Sequence, residues 1–203
     1  MDLQITTAPT LFSIDKALVK SNKRIRHSSE DDLIDFWIAA ADRYIEKETN
    51  RSLLTQTLTL RIDKILPVIQ LPRPPFASIT SLKYTPEDGD EVTVDVATDT
   101  VQRVVDMLPT FRIPSIDAAY GEDVETDGTM TVVYVAGWNA ATSVPADLRQ
   151  AALLLASHYV TSREAAYMDA RLMQVEKKIA FGVDELVRGH RIPNANTPIN
   201  GGY

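Results

Sequence analysis

Apolar residues recur at helical spacing towards both ends of this chain and at strand spacing through its middle, so the pattern divides the chain before any motif is considered. From Val144 the sequence reads VPADLRQAALLLASHYVTSREAA. Leu148, Ala151, Ala152, Leu155 and Tyr159 fall on one helix face, and Leu153, Leu154 and Val160 widen it beyond the roughly 100° stripe of a surface helix. Pro145 suits a first helical position, and Asp147 puts negative charge where the helix dipole is positive. Such a helix either lies at the centre of its own domain or also meets another subunit. Nearer the N-terminus, Ser13 is placed to cap a short helix from Ile14 to Asn22. Ser28 and Ser29, followed three residues on by Asp31 and Asp32, resemble a capping box with Asp in place of Glu. Leu33, Phe36, Trp37, Ala40, Ala41, Tyr44 and Glu48 then set a 3.6-residue rhythm, with Arg43, Glu46 and Lys47 outside it. Asn50 can take the left-handed turn that ends this helix.

In the middle the period changes to two. Leu58, Leu60 and Ile62 alternate with Thr57, Thr59 and Arg61, the signature of a half-buried strand. Val68 to Leu71 forms a second strand, stopped by Pro72, Pro74 and Pro75, which cannot donate to a ladder. Ile79, Leu82 and Tyr84 belong to a third, and Asp88-Gly89 turns it into an antiparallel partner at Val92, Val94 and Val96. Asp99 to Leu108 fits a helical turn by spacing and a strand by its β-branched residues. Phe111 to Ile113 is a short strand stopped by Pro114. Thr129 to Ala136 (TMTVVYVA) is the clearest strand, with Asp127-Gly128 as the turn before it. Met1 to Thr10 shows no pattern and reads as an arm, while Pro193 to Tyr203 is too rich in Pro, Asn and Gly to fold alone. The fold class is therefore α+β: a helical bundle built from N- and C-terminal segments with an inserted antiparallel β-region. The divisions are 1–54, helical; 55–137, β; 138–192, helical and packing with 1–54; and 193–203, a flexible tail.

Charge sharpens this division. The 203 residues carry a formal net charge of −7. From Pro86 to Gly128 there are twelve acidic residues against two basic ones, Arg103 and Arg112, and everything outside is mildly basic. This argues against a protein that grips nucleic acid through a basic stripe. A solvated β-region explains the acidity; repulsion of DNA phosphates is the functional alternative. Lys20, Lys23, Arg24 and Arg26 form a small basic cluster, read first as a loop kept in solvent and second as a contact for phosphate or an acidic neighbour. No apolar run approaches the roughly 18–20 residues needed to span a bilayer. Met1 to Thr10 lacks the layout of a signal peptide, so the chain reads as cytoplasmic and free of membrane.

The search for chemistry finds little. There is no cysteine, hence no thiolate zinc site and no cysteine nucleophile. His27, His158 and His190 have no metal-ligand spacing. Neither a phosphate-binding glycine loop nor a nucleophile elbow occurs. The acidic Glu30-Asp31-Asp32-Asp35 group suits a helix N-terminus for its dipole alone. The clusters Pro86 to Glu91 and Glu122 to Gly128 lack the ligand order of a calcium loop. No catalytic, cofactor-binding or metal residue is therefore assigned, and no cofactor is expected.

Several motifs, weak singly, form a recognisable series in order. Thr49, Arg51 and Leu53 end the N-terminal helical part; Leu71-Pro72 and Pro75 precede Ile79, Tyr84 and Asp88-Gly89; a strand closes at Tyr134 to Gly137 before Val144-Pro145. Tyr159, Val160, Arg163 and Glu164 close the long helix, and Phe181, Gly182, Val183, Leu186 and Arg191 follow. This series resembles the head-tail connector, or adaptor, proteins of long-tailed bacteriophages and gene transfer agents. Ala180 stands where such proteins often have Pro, and Gly189-His190 replaces a more usual Pro-aromatic pair.

The resemblance implies a structural protein, not an enzyme, located in the neck of a virion or virion-like particle and made in the bacterial cytoplasm. It implies a homo-oligomeric ring, twelve-fold, beneath the portal protein and above a downstream tail-completion protein, with DNA passing through its channel without sequence-specific binding. The contact residues it points to are Arg163, Glu164, Phe181, Val183, Leu186, Arg188, Arg191, Pro193, Ile199 and Tyr203. Two other readings compete: a metal-dependent hydrolase or nuclease using the acidic β-region, and a tail-completion or assembly factor with a different partner.

Overall fold

The computed structural model describes residues 1–105, 108–121, 125–161 and 182–192. They form an α+β protein whose chain divides into two compact units, one containing residues 1–9 and 55–137, the other residues 10–54 and 138–192.

The β unit grows from the alternating segments. β1 (Asp2–Thr7), β2 (Gln56–Ile65), β3 (Val68–Gln70), β4 (Phe76–Pro86), β5 (Val92–Val94), β6 (Val101–Val105), β7 (Leu108–Arg112) and β8 (Thr126–Ala136) are its strands. Five make one antiparallel sheet in the order β1-β2-β8-β4-β5, and three make a second in the order β3-β7-β6. A short helix, α3 (Pro114–Tyr120), follows β7. Leu58 and Leu60 of β2 and Leu82 of β4 are buried with Val132 and Tyr134 of β8, and the same core takes in Ile69, Phe111, Ile113 and Ile116. The two sheets therefore share one apolar core, and the Phe76 and Phe111 rings meet with centroids 4.9 Å apart. The Tyr134 hydroxyl, deep in that core, donates to the Pro72 carbonyl at 2.7 Å, which satisfies its one polar atom.

Three expectations change here. Residues 2–7 are an edge strand paired with β2 in place of an arm, because Leu3 and Ile5 turn to the core and the edge would otherwise stay open. Asp127-Gly128 is not a turn but part of β8, which runs on to Thr126 and pairs there with β2 and β4. Gly128 sits at φ 144°, and a Cβ on it would lie 2.5 Å from the Thr85 carbonyl oxygen. Backbone approach, more than turn formation, explains this glycine. Pro114, read as a stop, also opens α3 at its first turn. The ambiguous Asp99 to Leu108 segment contains strand β6, in line with its β-branched residues.

The helical unit contains α1 (Lys16–Lys23), α2 (Asp31–Thr49), α4 (Ala146–Thr161) and a further helix, α5, over residues 182–188. α4 is its centre. Leu148, Ala151, Ala152, Ala156 and Val160 are buried on α4 with Val19 of α1 and Ile34, Ile38, Ala41 and Ile45 of α2, as its wide apolar surface implies. Pro145 lies just before the helix, its carbonyl accepting from the Arg149 N–H at 3.1 Å.

Details depart from the sequence reading. The cap of α1 is Asp15, whose carboxylate accepts the Ala17 N–H at 2.8 Å; Ser13 is buried and serves α2 instead. No side chain caps α2 at Glu30, and the Ser29 hydroxyl pairs with His27 Nδ1. The larger correction concerns the faces of α2. Ile34, Ile38 and Ile45 take the core, while Leu33 (40% exposed), Phe36 (66%) and Tyr44 (42%) face outward. Glu46, expected in solvent, is buried. Asn50 does adopt the left-handed conformation that ends the helix, with φ 53°.

Candidate assembly surface

The described part of the C-terminal segment is clamped onto the end of α2. Once Asn50 turns the chain, its side-chain amide donates to the Ile192 carbonyl at 2.7 Å, and the Ile192 N–H donates to the Thr49 carbonyl at 3.0 Å. Arg51 Nε donates to the His190 carbonyl at 2.7 Å, and burial lowers the pKa of that guanidinium. Arg191 reaches Glu48 at 2.8 Å and Asp184 at 2.6 Å, and the Glu48 hydrogen bond raises its pKa further. His190 Nε2 lies 3.2 Å from Asp147 at the start of α4. These bonds fix where the chain leaves the helical unit at Ile192, whose side chain is itself buried.

Of the residues that the family resemblance points to, Val183 is in the helical core and Leu186 packs against it, so both support the fold of this unit. Arg188 is exposed, and Arg191 is occupied in the clamp. Arg163, Glu164, Phe181, Pro193, Ile199 and Tyr203 lie outside the described residues.

Two carboxylates withdrawn from solvent stand on α2 one turn apart, Asp42 partly and Glu46 fully buried. Asp42 accepts from both the N–H and the hydroxyl of Ser13, which seats the segment leading into α1. Burial pushes the Asp42 carboxyl up to about 6, against those two hydrogen bonds and with a further upward push from Glu46. Glu46 accepts the Leu53 N–H at 2.9 Å through one oxygen and Arg43 at 2.9 Å through the other, closing the turn that follows α2. Each carboxylate is spent on backbone and neighbour contacts, so the pair holds structure and offers no free acid or base.

The flanks of α2 differ. On one, Asp31 and Asp35 bind Lys20 and Lys16 of α1 at 2.7 and 2.6 Å, and Asp42 binds Ser13. The hydrogen bond from Lys20 lowers the Asp31 pKa, and Asp31 and Asp35 of the acidic group at the helix start are held in ion pairs to α1. Leu33, Phe36, half-buried Ala40 and Tyr44 follow at i, i+3, i+7 and i+11 on the other flank, open to solvent. Beyond α1, Leu11 (54% exposed), Phe12 (37%) and Leu18 (41%) are exposed as well. Sequence reasoning missed this arrangement; the available signal was a helix carrying two apolar stripes where one suffices for a core.

In the β unit, acidic residues gather at one end of the large sheet. Glu87, Asp88, Asp90 and Glu91 occupy the exposed β4–β5 turn, and Asp63, Glu87 and Asp127 border a shallow open depression. Lys64 pairs with Glu125 and Lys83 with Glu91. Asp106, Glu122 and Asp123 lie outside the described residues. Among the described residues, no three His, Asp or Glu side chains converge as a metal site. Among the described residues, no helix is long and apolar enough to cross a membrane.

No family model matches the sequence, and no curated protein matches it. Solved structures do. A chain of the virion of a native gene transfer agent particle superposes with TM-score 0.73 and 22% identity. A chain from the neck of an empty particle of that kind, computed with C6 symmetry, gives 0.72 and 24%. One from the neck of the native particle, computed with C12 symmetry, gives 0.65 and 24%. Each comparison covers 100% of this chain and 99% of the other. This chain therefore shares, from end to end, the fold of chains found in gene transfer agent particles.

Proposed function

We propose that this protein is a structural head-tail connector of a phage-like or gene transfer agent particle. In this reading copies form a twelve-fold ring beneath the portal protein, extend the DNA channel, and pass the load to a downstream tail-completion protein. The carrying observation is the full-length fold match to neck chains, with nearly nothing left over on either side. Two features of the molecule support it. The helical unit exposes apolar faces of the kind that subunit contacts use, and the acidic end of the β unit suits a channel past which DNA slides without sticking. Ile192, the last described residue of this segment, is itself held by the clamp, and we take Pro193 to Tyr203, which follow it in the sequence, as the docking segment for the portal. Arg163, Glu164 and Phe181 remain candidates for contacts within the same assembly.

Electron cryomicroscopy of particles carrying the tagged chain tests this directly. Ring density for this fold between portal and tail is the expected result, and its occurrence anywhere else in the particle would remove the proposal. Deleting residues after Ile192 should leave both units folded and abolish capture of the portal; full capture by the truncated chain would take the tail out of the mechanism.

A further inference from the structure

We infer that neighbouring copies join head to tail through the helical unit, the outer stripe of α2 (Leu33, Phe36 and Tyr44) on one copy packing against the α1 flank (Leu11, Phe12 and Leu18) of the next. The inference rests on the ring reading above and assigns the surfaces that would make the ring. Nine large hydrophobic side chains are exposed in the described residues, and these six are all in the helical unit. Leu33, Phe36 and Tyr44 share one row of α2, Leu18 is on α1, and Leu11 and Phe12 belong to the segment leading into α1. α2 presents Asp31, Asp35 and Asp42 to α1 and Ser13, and at about 100° per residue Leu33, Ala40 and Tyr44 lie roughly half a turn round the helix from them. On α1, Lys16 and Lys20 face α2, so Leu18 projects from the far side.

That layout selects the occupant. A single foreign partner would use one patch, and a two-fold pair would need one patch that fits itself. Two different apolar surfaces on one unit, the α2 row and Leu18 on the side of α1 away from α2, suit a heterologous contact, which repeats from copy to copy and makes a ring where its rotation closes. The residues also match an interface core: two aromatic rings and an aliphatic side chain on one side, an aromatic and two leucines on the other, with charged neighbours such as Lys47 and Lys23 at the edges. Nucleic acid is a poor candidate for either patch, since neither has arginine or lysine at its centre.

The chain has no cysteine, so thiols can be introduced cleanly. Leu18→Cys and Phe36→Cys are combined in the full-length protein, assembled into particles and treated with a short bis-maleimide. The expected product on a denaturing gel is a ladder of covalent multimers, whereas each single variant stays monomeric. Covalent dimers from Phe36→Cys alone would mean a two-fold contact and would overturn the inference. Ring density in the neck without cross-linking by the double variant would also overturn it while leaving the connector reading intact; absence of the chain from the neck would remove both. In parallel, Phe36→Asp should keep the thermal midpoint of the isolated chain and lower its incorporation into rings at least ten-fold. Normal incorporation would count against the stripe.

Discussion

The two units hide their apolar surface to different degrees. In the β unit, Leu58, Leu60, Leu82, Val132 and Tyr134 point into a core that a second sheet and α3 complete, and what remains outside is largely threonine, lysine and carboxylate. In the helical unit the core is equally dry, yet α2 carries a second greasy stripe and α1 leaves Leu18 in solvent. A helix has room for two apolar faces, whereas a strand covered on one side alternates and shows water only its polar set. The lesson is that the β unit uses nearly all of its apolar surface in its own fold, while the helical unit keeps an apolar row that its own core does not use.

The sharpest test of that contrast compares two neighbours on α2. Ile38→Ala removes a fully buried side chain and should cost about 2–5 kcal/mol in denaturant unfolding. Phe36→Ala, two residues away, should change stability by no more than about 0.5 kcal/mol, because that ring is exposed. Equal losses would show that the outer stripe is needed by the monomer.

Next in size is a pH effect confined to the helical unit. Folded, Asp42 keeps its proton up to about 6, while in the unfolded chain it loses it near the ordinary aspartate value of about 3.9. Between those values the folded form binds more protons at this group, so the contribution of Asp42 to stability is greatest in acid and is lost as pH rises through about 6, by about 2–3 kcal/mol at most. Asp42→Asn should flatten the thermal midpoint over that window, and an unchanged slope in the variant would assign it to another group.

In the β unit, Gly128→Ala forces a Cβ against the Thr85 carbonyl at a φ that side chains rarely adopt, for a loss of about 1–3 kcal/mol from backbone strain. Hydrogen exchange should show the loss around β2, β4 and β8; exchange confined to the helices would break the division into units. The smallest effect is expected from Arg191→Ala. Its ion pairs with Glu48 and Asp184 are at the surface, where water and salt screen them, so the thermal midpoint should not move measurably.

Much of the architecture was legible from local pattern. The alternation at Leu58, Leu60 and Ile62 located β2, Asp88-Gly89 marked the β4–β5 hairpin, and Asn50 marked the end of α2. These features depend on neighbours within a few residues, so the chain spells them out. The edge strand at residues 2–7 was barely legible, because the two alternating apolar residues Leu3 and Ile5 are too few to set a period and the partner β2 is distant in the sequence. The C-terminal clamp was also hidden: Arg51, Asn50 and Ile192 meet only once α2 and α5 are packed.

The candidate surface shows where sequence stops. Periodicity announced that α2 is amphipathic, and it identified Leu33, Phe36 and Tyr44 as one row, but Ile34, Ile38 and Ile45 form another row with an equal claim to the core. Hydrophobicity measures how much a side chain gains by leaving water, not which neighbour it leaves water for. The choice was made by α1 and α4, whose packing took the isoleucine row and left the aromatic one outside. Likewise the sequence by itself determined most of the helices and strands and the acidic middle, whereas strand β1, helix α3, the burial of Glu46 and the exposure of Phe36 were decided only by tertiary packing. Secondary structure answers to the spacing of residues along one chain, and burial answers to what the rest of the chain brings alongside.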